Sequence, residues 1–161
     1  MKNYTLHQNC VEIIEDNGTI KRIFFNENSG TVYFRNKIGS LIGIKHPGIF
    51  LGVDQQGTEY FLHNHYHLGT ACLVTGDEFR KGLQIGLYDL KYTNPPLKVI
   101  QIALDEVMRK ERYHVVNYNC QDYVNLATNN QRKSESIEKI ASNLFFGTLI
   151  FVGLSLIFDK E

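Results

Sequence analysis

KHPGIFLGVDQQGTEYFLHNHYHLG, residues Lys45 to Gly69, decides how the chain folds. KHPGIFLGV and TEYFLHNHYHLG are apolar and aromatic runs of strand length. DQQG between them is turn material, and Gly57 can supply the backbone conformation that closes it. The pattern predicts an antiparallel hairpin. Four of the six histidines lie in it, at positions 46, 63, 65 and 67. Successive strand residues point to opposite faces, so His63, His65 and His67 are expected on one face. A register that sets His46 against His63 or His65 gathers all four imidazoles, and a slip of one residue separates them. Turn geometry alone does not choose between the two partners.

Upstream of the hairpin, VEIIED, TIKRIFFN and TVYFRN are short strand-like runs separated by NG, NENSG and NKIGS. They read as further hairpins. Downstream, LVTGDEFRKG and LQIGLYDL continue the strand pattern. The period then changes. NPPLKVIQIALDEVMRKE carries Leu97, Ile100, Leu104, Val107 and Met108 at helical spacing, with Asn94 as expected N-cap and prolines in the first turn. After the extended piece YHVVNY, a second helix is expected near Cys120, with Tyr123, Val124 and Ala127 on one face. Strands followed by helices predict an α+β domain.

The chain has 161 residues, enough for one domain with a real core, and a formal net charge of zero. A zero balance argues against a general nucleic-acid binder, which needs a basic excess. Cys10, Cys72 and Cys120 are odd in number, far apart and without CxxC spacing, so neither a disulfide framework nor a cysteine metal site is expected. The N-terminus has no apolar stretch of the secretory kind. IASNLFFGTLIFVGLSLIF, residues 140–158, has no charged side chain. As a helix it would reach about 28 Å, close to a bilayer core of about 30 Å. A buried core helix is the competing expectation. Arg132, Lys133 and Lys139 precede the stretch, which predicts a membrane anchor with the folded domain on the cytoplasmic side.

The histidines admit three uses. They can form a polar strand face. Three neutral imidazoles can make a zinc shell, although no acidic or cysteine ligand has a matching spacing. Or His46 can serve as base to a thiol, with a further group to orient it. Cys120 stands at the expected start of a helix, where the helix dipole favours a thiolate. Cys10 and Cys72 have no such setting.

HPGIFLG, EYFLH and YHVVNYNCQDYVN together resemble the motif set of the lecithin retinol acyltransferase family, which includes the H-ras-like suppressor phospholipid acyltransferases. The resemblance covers roughly residues 39–129 and the apolar tail. It implies a circularly permuted papain-like domain of the NlpC type, an antiparallel sheet followed by helices, with a C-terminal hydrophobic helix. It also implies that Cys120 is the nucleophile, with its backbone N–H as an oxyanion donor, that His46 is the general base and acid, and that His63 orients His46, with His65 as alternative orienter. Pro47 replaces the family's usual aromatic residue, Gln121-Asp122 stands where better-known members have Glu-His, and the His46–His63 spacing is longer.

The expected organisation is a β extension at 1–38, a catalytic domain at 39–130, a polar linker at 131–139 and the anchor at 140–158. The expected function is a thiol-dependent acyltransferase or phospholipase acting on glycerophospholipid acyl esters through a Cys thioester. No cofactor and no metal are expected. The expected partners are a phospholipid membrane and a lipid acyl donor, with an unidentified acceptor and no nucleic acid. The alternatives are an NlpC-type cysteine amidase or peptidase with the same triad, and a membrane-anchored interaction module without activity.

Overall fold

A computed structural model describes residues 1, 3–36, 45–114 and 117–132. The expected anchor at 140–158 and most of the linker lie outside these residues. Among the described residues no helix is long and apolar enough to cross a membrane.

The described elements are β1 (Asn3–Leu6), β2 (Cys10–Ile14), β3 (Ile20–Phe24), β4 (Val32–Asn36), β5 (Lys45–Val53), β6 (Glu59–His65), β7 (Thr70–Thr75), α1 (Gly76–Arg80), β8 (Gly86–Leu87), α2 (Pro96–Arg109) and α3 (Cys120–Asn129). The fold is α+β, and the strands form one antiparallel sheet. The predicted hairpin is its centre. β5 pairs with β6 around a turn in which Asp54 O accepts from Gly57 N at 3.1 Å, and Gly57 takes φ +82°. Asp54 organises the turn: Oδ1 accepts from Gln56 N and Thr58 N, and Oδ2 accepts from the Tyr60 hydroxyl at 2.9 Å.

β3 and β4 do not pair with each other, contrary to the sequence pattern. β4 lies along the start of β5, with Phe34 opposite Pro47, Arg35 opposite His46 and Asn36 opposite Lys45. β3 meets the same edge of β5 only at its far end, Phe24 opposite Val53. The turn between them redirects the chain. Asn26 Oδ1 and Ser29 Oγ cap it locally, and Gly30 N donates to Phe50 O while Phe50 N donates to Thr31 O. β1 to β4 thus extend the same sheet that carries the histidines. Gly52 sits at the β5 bulge with φ +153°, and any side chain there would overlap the Phe24 carbonyl.

Three further expectations are corrected. LVTGDEFRKG ends its strand at Thr75 and turns into α1, because Thr75 and Glu78 form a capping box: Thr75 N donates to Glu78 Oε2 at 2.7 Å and Thr75 Oγ1 accepts from Glu78 N. LQIGLYDL contributes only Gly86–Leu87 to the sheet. Asn94 is not the cap of α2. Pro95 takes that place and Pro96 is the first helical residue, where a missing N–H costs nothing. Asn94 instead ties α2 to the end of α3, donating Nδ2 to Ala127 O at 2.8 Å.

The sheet has two different faces. Ile49 and Leu51 of β5 and Tyr60 and Leu62 of β6 pack with Val99, Ile100, Ala103 and Leu104 of α2 and Tyr123, Val124 and Ala127 of α3. Each fully buried Val, Leu or Ile among them contributes about 1.5–3 kcal/mol. The opposite face carries Phe50 and Phe61, covered by Phe79 of α1 with the Phe61 and Phe79 rings stacked at 4.5 Å.

Candidate active site

His46 is the second residue of β5, and His63 lies on β6. Both are buried, at 5% and 2% exposure. Alternation puts them on the Phe79 face, and the register brings His46 Nε2 and His63 Nδ1 to 2.8 Å, with rings nearly perpendicular. Phe79 covers both, its ring centre 6.1 Å from His46 and 5.6 Å from His63. Gly48 makes room for that ring, since a Cβ there would come within 2.6 Å of it. His65 shares the face but is half-buried, with its ring centre 6.4 Å from that of His46. Its Nδ1 accepts from Leu68 N at 3.3 Å. β6 ends at His65, so His67 belongs to the following turn and is exposed. The expected four-histidine strand face is therefore a buried pair with a third imidazole at its rim.

Burial pushes the His63 imidazole down to about 3, helped by the positive charges of His65, Arg35 and Lys81. Arg35 is itself buried and lies directly across from His46 on β4. His63 is thus neutral throughout the physiological range. A histidine that resists protonation in the fold contributes its stability in full above about pH 6.5. That contribution is lost as the pH falls from there toward 3, because the unfolded chain takes the proton first. The stability advantage of the wild type over His63→Gln in urea unfolding should shrink as the pH falls from about 7 to about 4. A difference independent of pH would show that His63 titrates alike in both states.

Cys120 is the first residue of α3, as the sequence predicts, and is half-buried. Its neighbours explain the local fold. Asn119 is the N-cap, its Oδ1 accepting from Gln121 N at 2.8 Å and Asp122 N at 3.2 Å. Asp122 Oδ2 returns the favour by accepting from Asn119 N at 3.0 Å, which completes a capping box. Burial raises the Asp122 carboxyl above the usual carboxylate range. Gln121 Nε2 donates to the Tyr88 hydroxyl at 3.0 Å. The residues ahead of the cap are clamped as well. Asn64 Nδ2 donates to Tyr118 O at 3.0 Å, and the Tyr118 hydroxyl donates to the buried Glu106 at 2.6 Å. Arg109 and Arg132 both donate to Glu106, and the Arg132 guanidinium lies 4.7 Å from the Tyr118 ring centre.

α3 packs against β5 and β6 on the face opposite the histidine pair. The Asn64–Tyr118 bond brings the chain ahead of Cys120 to the end of β6. That is the end of the sheet where β5 begins and His46 lies. The start of α3 and His46 thus lie toward the same end of the sheet, on opposite faces of it.

Asn64, Glu106, Tyr118 and Asp122 escaped the sequence reading as supports of the site. The Asn119-x-x-Asp122 spacing is a capping-box signal that could have found Asp122. Asn64 was hidden between two histidines. Cys72 lies opposite His63 in the β6–β7 register, and burial, with the Glu78 charge, pushes its thiol up to about 12. Cys10 is buried at the start of β2. Among the described residues no group of three His, Cys, Asp or Glu side chains is arranged to hold a metal ion. Comparison with known protein families, with characterised proteins and with solved structures gives no match.

Proposed function

We propose that the chain is a thiol-dependent acyltransferase or phospholipase on glycerophospholipid acyl esters, with a permuted papain-like domain of the lecithin retinol acyltransferase type. The observation that carries this is the His46–His63 bond, in which a buried neutral imidazole holds a second one by Nε2. His46 then takes up a proton at Nδ1, and its Nε2–H donates to His63 Nδ1 throughout. Because His63 stays neutral, it orients His46 without taking the proton itself.

The chemistry runs in two halves. The Cys120 thiol gives its proton to His46 Nδ1 as sulfur attacks the ester carbonyl carbon. The backbone N–H of Cys120, at a helix start, stabilises the oxyanion. The tetrahedral adduct collapses, the ester C–O bond breaks, and His46 returns the proton to the leaving oxygen, releasing lysophospholipid. Water or an acceptor alcohol or amine then loses a proton to His46 and attacks the thioester, and the thiol is regenerated. In this proposal the apolar stretch 140–158 tethers the domain to its substrate bilayer from the cytoplasmic side, which raises the effective substrate concentration.

One observation favours a second proposal, an interaction module without activity: α3 and the imidazole pair lie on opposite faces of the sheet. Alkylation separates the two. At pH 7, iodoacetamide should modify Cys120 well before Cys72 or Cys10, and His46→Ala should slow Cys120 by about tenfold or more. Equal rates for Cys120 in the wild type and in His46→Ala would favour the inactive module.

A further inference from the structure

Lys45 begins β5, next to His46, and is exposed. Alternation sends its side chain to the Pro47 side of the sheet, which is the α3 side. Its Nζ lies 4.1 Å from the Phe34 ring centre and 5.4 Å from that of Tyr88. The two rings meet edge to face at 5.9 Å. Tyr88 in turn accepts from Gln121, the residue after Cys120. Lys45 is therefore linked through Tyr88 to the first turn of the helix that bears the thiol. Among the described residues no carboxylate pairs with Lys45. Two aromatic faces hold its ammonium in place without neutralising it.

A fixed, uncompensated cation on the nucleophile's side of the sheet is suited to an anion. Resting on the phospholipid proposal above, we infer that Lys45 binds the headgroup phosphate of the substrate and so sets specificity for phosphate-bearing acyl glycerols. In a glycerophospholipid the phosphate and the acyl esters hang from one glycerol. Holding the phosphate at Lys45 therefore limits where the ester carbonyl can lie and directs it to Cys120.

The test uses the full chain and a short-chain diether phosphatidylcholine below its micelle concentration, whose ether bonds cannot acylate a thiol. Protection of Cys120 from iodoacetamide reports binding, each variant being scaled to its own rate without lipid. Wild type should be protected saturably. Lys45→Gln should need about tenfold more lipid, and Lys45→Arg should stay near wild type. The matching diether glycerol without phosphocholine should protect wild type and Lys45→Gln alike, and inorganic phosphate alone should not protect. Unchanged protection in Lys45→Gln, no protection of wild type, or inorganic phosphate protecting as well as the lipid would each overturn the inference. The diester lipid separates this from the function itself: protection by the diether without acylation by the diester would sink the thiol chemistry and leave the phosphate site standing.

Discussion

His63→Ala should lower phospholipid turnover by about a hundredfold or more, whereas His65→Ala should stay within about threefold of wild type. The difference follows from position on one strand. His63 is buried and 2.8 Å from His46 Nε2, while the His65 ring sits at the rim, its centre 6.4 Å from that of His46. Without His63, His46 loses the partner that fixes its ring, and its Nε2 is left without that partner in a buried pocket beside Phe79. His63→Asn, whose side chain can still hydrogen-bond His46 Nε2, should recover part of the loss. Steady-state assays on mixed phospholipid vesicles decide the matter. A dead His65→Ala beside a near-normal His63→Ala would move the orienting role to His65.

Glu106→Ala should cost about 3 kcal/mol of stability in urea unfolding. Glu106 is 2% exposed and accepts from the Tyr118 hydroxyl at 2.6 Å, from Arg109 at 2.7 Å and from Arg132 at 3.2 Å. Burial and this carboxylate keep the Tyr118 phenol protonated far beyond its ordinary range. Truncation leaves that buried hydroxyl without its acceptor, while the two arginines can turn to water. Glu106→Gln retains an acceptor and should cost about half as much. Because Tyr118 lies two residues before Cys120, Glu106→Ala should also slow alkylation of Cys120. A loss below about 1 kcal/mol would show that the network adds little to the fold.

The central hairpin was legible because its two apolar runs and the Asp54–Gly57 turn agree on one geometry. The start of α3 was legible for a related reason: an asparagine precedes an apolar face of helical period. The partner of β4 was not, since strand runs separated by turn residues look like a hairpin whichever edge they join. The Gly30–Phe50 and Phe50–Thr31 bonds that send β4 along β5 are long-range. The sequence pattern gives strand for α1 because its five residues follow directly on the apolar run of β7 and are too few to show a helical period. The choice of His63 over His65 could not be read from alternation, which puts both on one face. It depends on the tilt of the rings and on Phe79, a residue from another element that closes over His46 and His63. The face on which α3 packs was equally hidden, because a helix start does not say from which side of a sheet it approaches.

The central claim is that Cys120 carries the acyl group. Brief incubation of the full chain with phospholipid vesicles, followed by intact-mass analysis, measures it directly. The expected result is a mass increase of one acyl chain, mapped to Cys120, removed by hydroxylamine and missing in Cys120→Ala and His46→Ala. Unmodified Cys120 in a preparation that still turns over phospholipid, or turnover that survives in Cys120→Ala, would contradict it.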